Sequence, residues 1–222
     1  MHLTRFEINP ARRSARDLLA SPQKLHAAVL AGFPTLATAP AENGRVLWRL
    51  DQRDHQALLY IVSPHKPDLT HLVENVGWPT THGWDTRDYT RLLDRLNEGD
   101  EWAFRLKANP VSSRRKSDDA MRTQRYGHVT VAQQTDWLLT RSERHGFSIP
   151  RGDHKEPDVA VRGREHLKFQ RQGRTITLAT AVFEGRLEIT DPDALRHSLT
   201  HGIGHAKAYG CGLLTLAPVK RV

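Results

Sequence analysis

Twice along this chain the hydrophobic pattern runs through strand, helix, two strands, helix and strand, and that repetition limits the fold more than any single motif does. In the first half, residues 3–8 read as a strand stopped by Asn9-Pro10. A short helix follows, with Ser14 as its cap and Asp17 three residues on. Ser21-Pro22 opens a second helical segment with proline at the first helical position; Leu25, Ala28, Val29 and Gly32 share one face, and the segment ends near Gly32. Residues 46–50 and 57–62 read as a strand pair, 68–73 as a short helix, and Trp78-Pro79 with Gly83 as a loop. Residues 102–107 alternate strictly, with Trp102, Phe104 and Leu106 on one face and Arg105 and Lys107 on the other, which predicts a half-buried strand with a basic outer side.

The second half follows the same order. Thr130 and Gln133 predict a capping box for a helix through Trp137 and Leu138 that stops at Gly146. Residues 166–170 and 175–183 pair as a hairpin through Gln172-Gly173, and 186–189 carry strand material beyond Glu184-Gly185. Asp191-Pro192 opens a helix continued by Leu195 and Leu199, and 213–216 close as a strand. Each half approximates β-α-β-β-α-β, so the expected fold class is α+β: two tandem ferredoxin-like domains with antiparallel sheets. The polar connection at 110–123 sets the expected boundary, giving domains 1–115 and 116–222.

Between the last helix and the last strand, Gly202, Gly204, Gly210 and Gly212 surround Lys207 and Tyr209. Backbone without Cβ atoms lets N–H groups approach an anion, and Lys207 adds a point charge, so this segment is expected to hold a phosphate backbone. The plainer alternative is a glycine turn linking two elements.

Charge agrees with an anionic partner: 33 Lys and Arg against 25 Asp and Glu leave +8 on 222 residues, with 13 histidines in addition. The excess gathers in two places. Arg105, Lys107, Arg114, Arg115, Lys116, Arg122 and Arg125 stand against Asp118 and Asp119; Arg162, Arg164, Lys168, Arg171 and Arg174 stand against Glu165. The single cysteine, Cys211, excludes an internal disulfide and a cysteine-based zinc site and suits a reducing, cytoplasmic setting. With no leader pattern and no apolar run of membrane length, no membrane partner is expected.

Among the groups able to do chemistry, His26 is the best placed. It lies one step round its helix from the Leu25/Val29 face, at the margin of core and solvent, and an imidazole titrates near neutral pH. Other constellations fall short. His201 and His205 have i, i+4 spacing but lack a third ligand, so no metal is expected; the glycine segment lacks the G-x-x-x-x-G-K-[ST] pattern; His128-Val-Thr130 has no second copy; and no G-x-S-x-G elbow is present.

The run 181–192, Leu199, Gly202-Ile-Gly204, Lys207-Ala-Tyr-Gly210 and 212–218 together resemble the C-terminal signature of the CasE family, the CRISPR repeat-processing endoribonucleases of the type I-E Cascade complex. The start is similar to that family as well, in Leu3-Thr-Arg-Phe, Asn9-Pro10, Ser21-Pro-Gln-Lys-Leu-His26-Ala, Gly32-Phe-Pro34, Leu47-Trp-Arg-Leu50 and 104–110. The resemblance implies two ferredoxin-like domains, metal-independent cleavage of precursor CRISPR RNA at the base of each repeat hairpin, retention of the product among other Cascade subunits, and the catalytic histidine at His26. Two positions depart from the family: Gln23 stands where a tyrosine is common, and Ala31 where a lysine is.

With neither metal nor cofactor expected, the substrate's 2′-hydroxyl becomes the expected nucleophile, with His26 assisting proton transfer and Lys24 or Lys207 steadying the transition-state charge. RNA contacts are expected from the hairpin residues Lys168, Gln170, Arg171 and Arg174, from the first basic concentration, and from the glycine segment. A non-catalytic hairpin-RNA-binding subunit and a phosphoesterase of small cyclic nucleotides are the alternative readings.

Overall fold

The computed structural model describes residues 1–34, 42, 44–80, 83–115, 123–152, 155–171 and 173–219. It divides into two compact units, Met1–Leu96 with Arg196–Leu213, and Asn97–Leu195 with Leu214–Val222. The division thus falls elsewhere than the 115/116 boundary read from composition.

The first unit is built on β1 (His2–Ile8), α1 (Arg13–Leu19), α2 (Pro22–Leu30), β2 (Leu47–Arg53), β3 (Gln56–Ser63), α3 (Thr70–Val76), β4 (Asp85–Asp88) and α4 (Thr90–Leu93). Its sheet has the order β2-β3-β1-β4, with each neighbouring pair antiparallel. Period-2 alternation sends Phe6 and Ile8 of β1 inward beside Leu59 and Ala57 of β3, their register partners. Leu25 and Val29 of α2 and Leu72 and Val76 of α3 cover that face, so both helices lie on one side of the sheet as the sequence predicts.

The second unit holds β5 (Glu101–Ala108), β6 (Val111–Arg115), β7 (Thr123–Gly127), α5 (Val131–Ser142), β8 (Phe147–Ser148), β9 (Val159–Arg171), β10 (Arg174–Ile189) and β11 (Leu214–Pro218). Its sheet runs β11-β5-β10-β8, with β9 also on β10, and its pairs are antiparallel. The core contains Phe104, Leu106, Phe147, Phe183, Leu187 and Leu138, with Trp137 stacked on Phe183 at 5.9 Å between ring centres. α6 (Pro192–His201) begins in this unit and ends in the other. Both units are ferredoxin-like, the second enlarged by a β6–β7 hairpin.

Three local expectations need correction. The strand at 102–107 is not the closing strand of the first half: it is β5, paired with β10 and β11. The strand that does close the first sheet, β4, is the four-residue Asp85-Thr-Arg-Asp88 on the β1 edge, too short and polar to show alternation. Ser14 is not a helix cap; Arg12 occupies that position, and the Ser14 hydroxyl donates to the Asn75 carbonyl at 2.6 Å. Finally, the charged connection is not a linker, since β6 pairs β7 with Val111 opposite Gly127 and Arg115 opposite Thr123.

Elsewhere the caps follow the sequence. Ser21 accepts from the Lys24 N–H at 3.3 Å with Pro22 at the first helical position, and Thr130 with Gln133 forms the reciprocal capping box. Thr130→Ala is expected to lower unfolding free energy by about 1 kcal/mol. Phe6→Ala, emptying a side chain that is 1% exposed, should cost about 3–5 kcal/mol. Urea denaturation of both variants measures the contrast.

Candidate active site

His26 sits in the second turn of α2, half-buried, exactly one residue past the core-facing Leu25. Its neighbour across the gap is Trp48 of β2. The indole is 2% exposed, and its Nε1–H donates to His26 Nδ1 at 3.2 Å, with ring centres 6.5 Å apart and planes inclined by 23°. The imidazole therefore occupies the core margin that the sequence assigned to it, and a buried aromatic ring fixes its direction.

The glycine segment reaches this place through β2, the edge strand of the first sheet. A Cβ on Gly210 would lie 2.6 Å from Trp48 Cζ3, and one on Gly202 would lie 2.8 Å from Leu47 Cδ2. Gly210 also has φ +77°, a left-handed conformation that other residues adopt at a cost. Arg49, whose side chain is 3% exposed, donates from Nη1 to the Leu213 carbonyl at 3.2 Å and makes a two-pronged pair with Asp51, Nε to Oδ1 at 2.8 Å and Nη2 to Oδ2 at 3.0 Å. The segment is thus fastened along Leu47, Trp48 and Arg49, and its Lys207–Tyr209 turn lies against α2.

Lys207 belongs to this framework more than to open solvent. Its stem runs beside Gly202 and Gly212, where added Cβ atoms would come within 3.0 and 3.3 Å of it, and Nζ donates to the Gly204 carbonyl at 2.6 Å. Burial first, then the charge of Arg45, hold the ammonium below the ordinary lysine range. A second cation near a half-buried lysine is a setting that an anionic ligand relieves. Two of the segment's glycines, Gly202 and Gly210, thus serve close packing on β2, a role that neither phosphate binding nor a linking turn had named.

Lys24 is not brought to His26. Two positions apart on a helix, side chains point about 200° away from each other, and Lys24 is exposed where His26 packs on Trp48. Gln23, three positions before His26, shares its face and is exposed. Ala31 is the C-cap of α2.

The basic candidates of the second unit separate into groups. Arg105 and Lys107 form cross-strand ion pairs, Arg105 Nη1 to Glu184 Oε1 at 2.9 Å and Lys107 Nζ to Glu165 Oε2 at 3.2 Å, with side chains only 24% and 16% exposed. Neither is presented as an open cation. Lys168 and Gln170 stand exposed on β9, alternating with Leu167 and with the buried Phe169, and Gln170 donates to Thr175 Oγ1 at 3.0 Å. Arg171 and Arg174 are register partners where β9 and β10 meet. Arg114 and Arg115 lie on β6 and Arg125 on β7; Lys116 and Arg122 lie outside the described residues.

Trp48, Arg49 and Arg45 were missed in the sequence. The signal for Trp48 was present, since a tryptophan two residues into a predicted strand needs a partner for its N–H when buried. Which partner it finds depends on a helix some twenty residues away, and spacing alone does not show that.

Lys207→Met tests the strained ammonium. A lysine with a lowered folded-state pKa makes the unfolded chain bind more protons, so stability increases as pH rises from that lowered value through the ordinary lysine range. The methionine variant is expected to melt higher than wild type at pH 7 and to lose part of that rise between pH 7 and 10, as read by thermal denaturation.

Comparison with known proteins places this arrangement. A family model described as CRISPR associated protein matches residues 1–218. The CRISPR-associated endoribonuclease Cse3 of Thermus thermophilus is 29% identical over 232 residues, covering 98% of this chain and all of the relative. The CRISPR system Cascade subunit CasE of Escherichia coli is 28% identical, covering 73% of this chain and 81% of its own. In structure, Thermus thermophilus Cse3 bound to an RNA representing a pre-cleavage complex superposes with a TM-score of 0.78 at 29% identity, covering 98% of both chains. With a family model spanning residues 1–218 and near-complete coverage in sequence and in structure, the chain belongs to the CRISPR associated protein family, as a member of its CasE branch.

Proposed function

We propose that His26 is the catalytic residue of an endoribonuclease that cuts precursor CRISPR RNA at the base of the repeat hairpin. The protein is a CRISPR RNA-processing endoribonuclease that works with RNA and other Cascade subunits as partners. The observation that carries the assignment of His26 is its seating: a half-buried imidazole, oriented by a buried indole, on the helix that the Lys207–Tyr209 turn packs against.

The reaction needs little more than positioning. The 2′-oxygen attacks the adjacent phosphorus, the bond from phosphorus to the 5′-oxygen breaks, the 2′-hydroxyl gives up its proton and the departing oxygen gains one. The products end in a 2′,3′-cyclic phosphate and a 5′-hydroxyl. His26 assists the proton movement, and Lys207, already held near Arg45, favours a phosphate in its vicinity. Lys24, pointing elsewhere on α2, has no part in this step.

Binding falls mainly to the β9–β10 hairpin. Its outward residues Lys168 and Gln170 suit an A-form stem read through phosphates and shape, and Arg171 and Arg174 add charge at its end. Arg105 and Lys107, occupied by Glu184 and Glu165, contribute less. Among the described residues no helix is long and apolar enough to cross a membrane, and the buried, lone Cys211 suits action in the cytoplasm.

The deciding assay incubates purified protein with a labelled repeat hairpin RNA in EDTA. Cleavage is expected, with His26→Ala slower by roughly 10²-fold or more and RNA affinity nearly unchanged. A requirement for Mg²⁺, or cleavage that survives a 2′-deoxy nucleotide at the scissile position, overturns the mechanism. Lys168→Ala should weaken binding and reduce the salt dependence of affinity by about one phosphate contact.

A further inference from the structure

The hydrogen bond from Trp48 to His26 has one chemical meaning. An indole N–H only donates, so the imidazole nitrogen facing it must present a lone pair. That nitrogen is Nδ1, 3.2 Å from Nε1. A neutral ring with its lone pair at Nδ1 carries its proton at Nε2. We propose that Trp48, seated by Gly210, is a positioning residue that holds His26 in the Nε2–H tautomer, so that the imidazole meets the RNA as a hydrogen-bond donor through Nε2. The inference rests on the catalytic reading of His26.

Three features make this a built arrangement. Trp48 belongs to the buried core cluster and is only 2% exposed. Its ring edge is closed by the Gly210 backbone, where a Cβ would stand 2.6 Å from Cζ3, 2.9 Å from Cη2 and 3.0 Å from Cε3. Gly210 is itself held by the chain around it, its N–H donating to the Lys207 carbonyl at 3.3 Å and the Leu213 carbonyl accepting from Arg49. The sequence from glycine segment to indole to imidazole is therefore a chain of contacts, each fixing the next.

The consequence concerns which proton His26 handles. With Nδ1 taken up by Trp48 and the hydrogen at Nε2, the resting ring does not offer the 2′-hydroxyl a basic nitrogen. It offers a donor to oxygens that gain charge as the phosphodiester opens, the non-bridging oxygens and the 5′-oxygen. Trp48 touches none of those atoms; it acts by keeping the ring's direction and tautomer.

The test is nitrogen NMR of the RNA-free protein labelled with ¹⁵N-histidine, with the His26 signals assigned by their loss in His26→Ala. Wild type is expected to show a protonated Nε2 and an unprotonated Nδ1 at neutral-ring pH. Trp48→Phe, which keeps the ring and removes the N–H, is expected to show mixed tautomers and single-turnover cleavage slower by roughly 10-fold, the usual effect of losing an orienting partner, with RNA affinity within about 3-fold. Gly210→Ala is expected to displace the indole and reproduce both changes. A wild-type ring protonated at Nδ1, or Trp48→Phe cleaving at the wild-type rate, overturns the inference. Wild-type cleavage by His26→Ala overturns instead the catalytic reading beneath it, and the nitrogen shifts, recorded without RNA, tell the two failures apart.

Discussion

The first unit depends on how a glycine-rich stretch near the end of the sequence is pinned to the exposed edge of a sheet formed near its beginning. Gly210 closes against the Trp48 ring and Arg49 draws in the Leu213 carbonyl. Sheet edges left open invite unwanted strand pairing, and here a loop packs on side chains of the edge strand β2. The same packing brings the Lys207–Tyr209 turn against α2. Arg49 makes the attachment stringent: a guanidinium with 3% of its side chain exposed needs its partners, and Asp51 and the loop carbonyl are among them. The architecture of the edge and the seating of His26 against Trp48 are thus one problem with one solution.

Much of this was legible in the sequence because the strongest signals are local. Strand-like apolar runs placed β1 and β3, strict alternation placed β5, and the caps at Ser21 and Thr130 fixed where α2 and α5 begin. His26 could be set at the core margin from its offset to Leu25 and Val29 alone. What escaped was non-local or weak. β4 has four mostly exposed residues with no apolar face, so the count of strands moved one element along and β5 was credited to the wrong half. The charged stretch after Pro110 looked like a linker because β6 and β7 are polar, although they pair residue for residue.

The site shows a similar division. A glycine pattern announces that backbone will come close to something, and the sequence offered a phosphate or a linking turn; what it could not show is that Gly202 and Gly210 also close against Leu47 and Trp48. Likewise, arginine and lysine on the outer face of an alternating strand announce charge without showing its partner. Glu184 stands directly opposite Arg105 in the register, and Glu165 reaches Lys107 from β9, so these cations hold the sheet together. Lys24, two residues before His26, lies on another side of α2, a placement already present in helix geometry.

β10 runs without interruption from Arg174 to Ile189, lying against β9 over most of its length and against β5 between Ala181 and Glu188. A bulge interrupts its pairing with β9 between Thr180 and Val182, where Gly163 takes φ +51°. The arm that carries Lys168 and Gln170 is therefore continuous with the strand that buries Phe183 and Leu187. Sliding the arm by one residue would turn its packing side outward and its polar side inward, so the spacing of its exposed polar groups is metered by the protein's own interior, much as the teeth of a key are cut relative to its shaft.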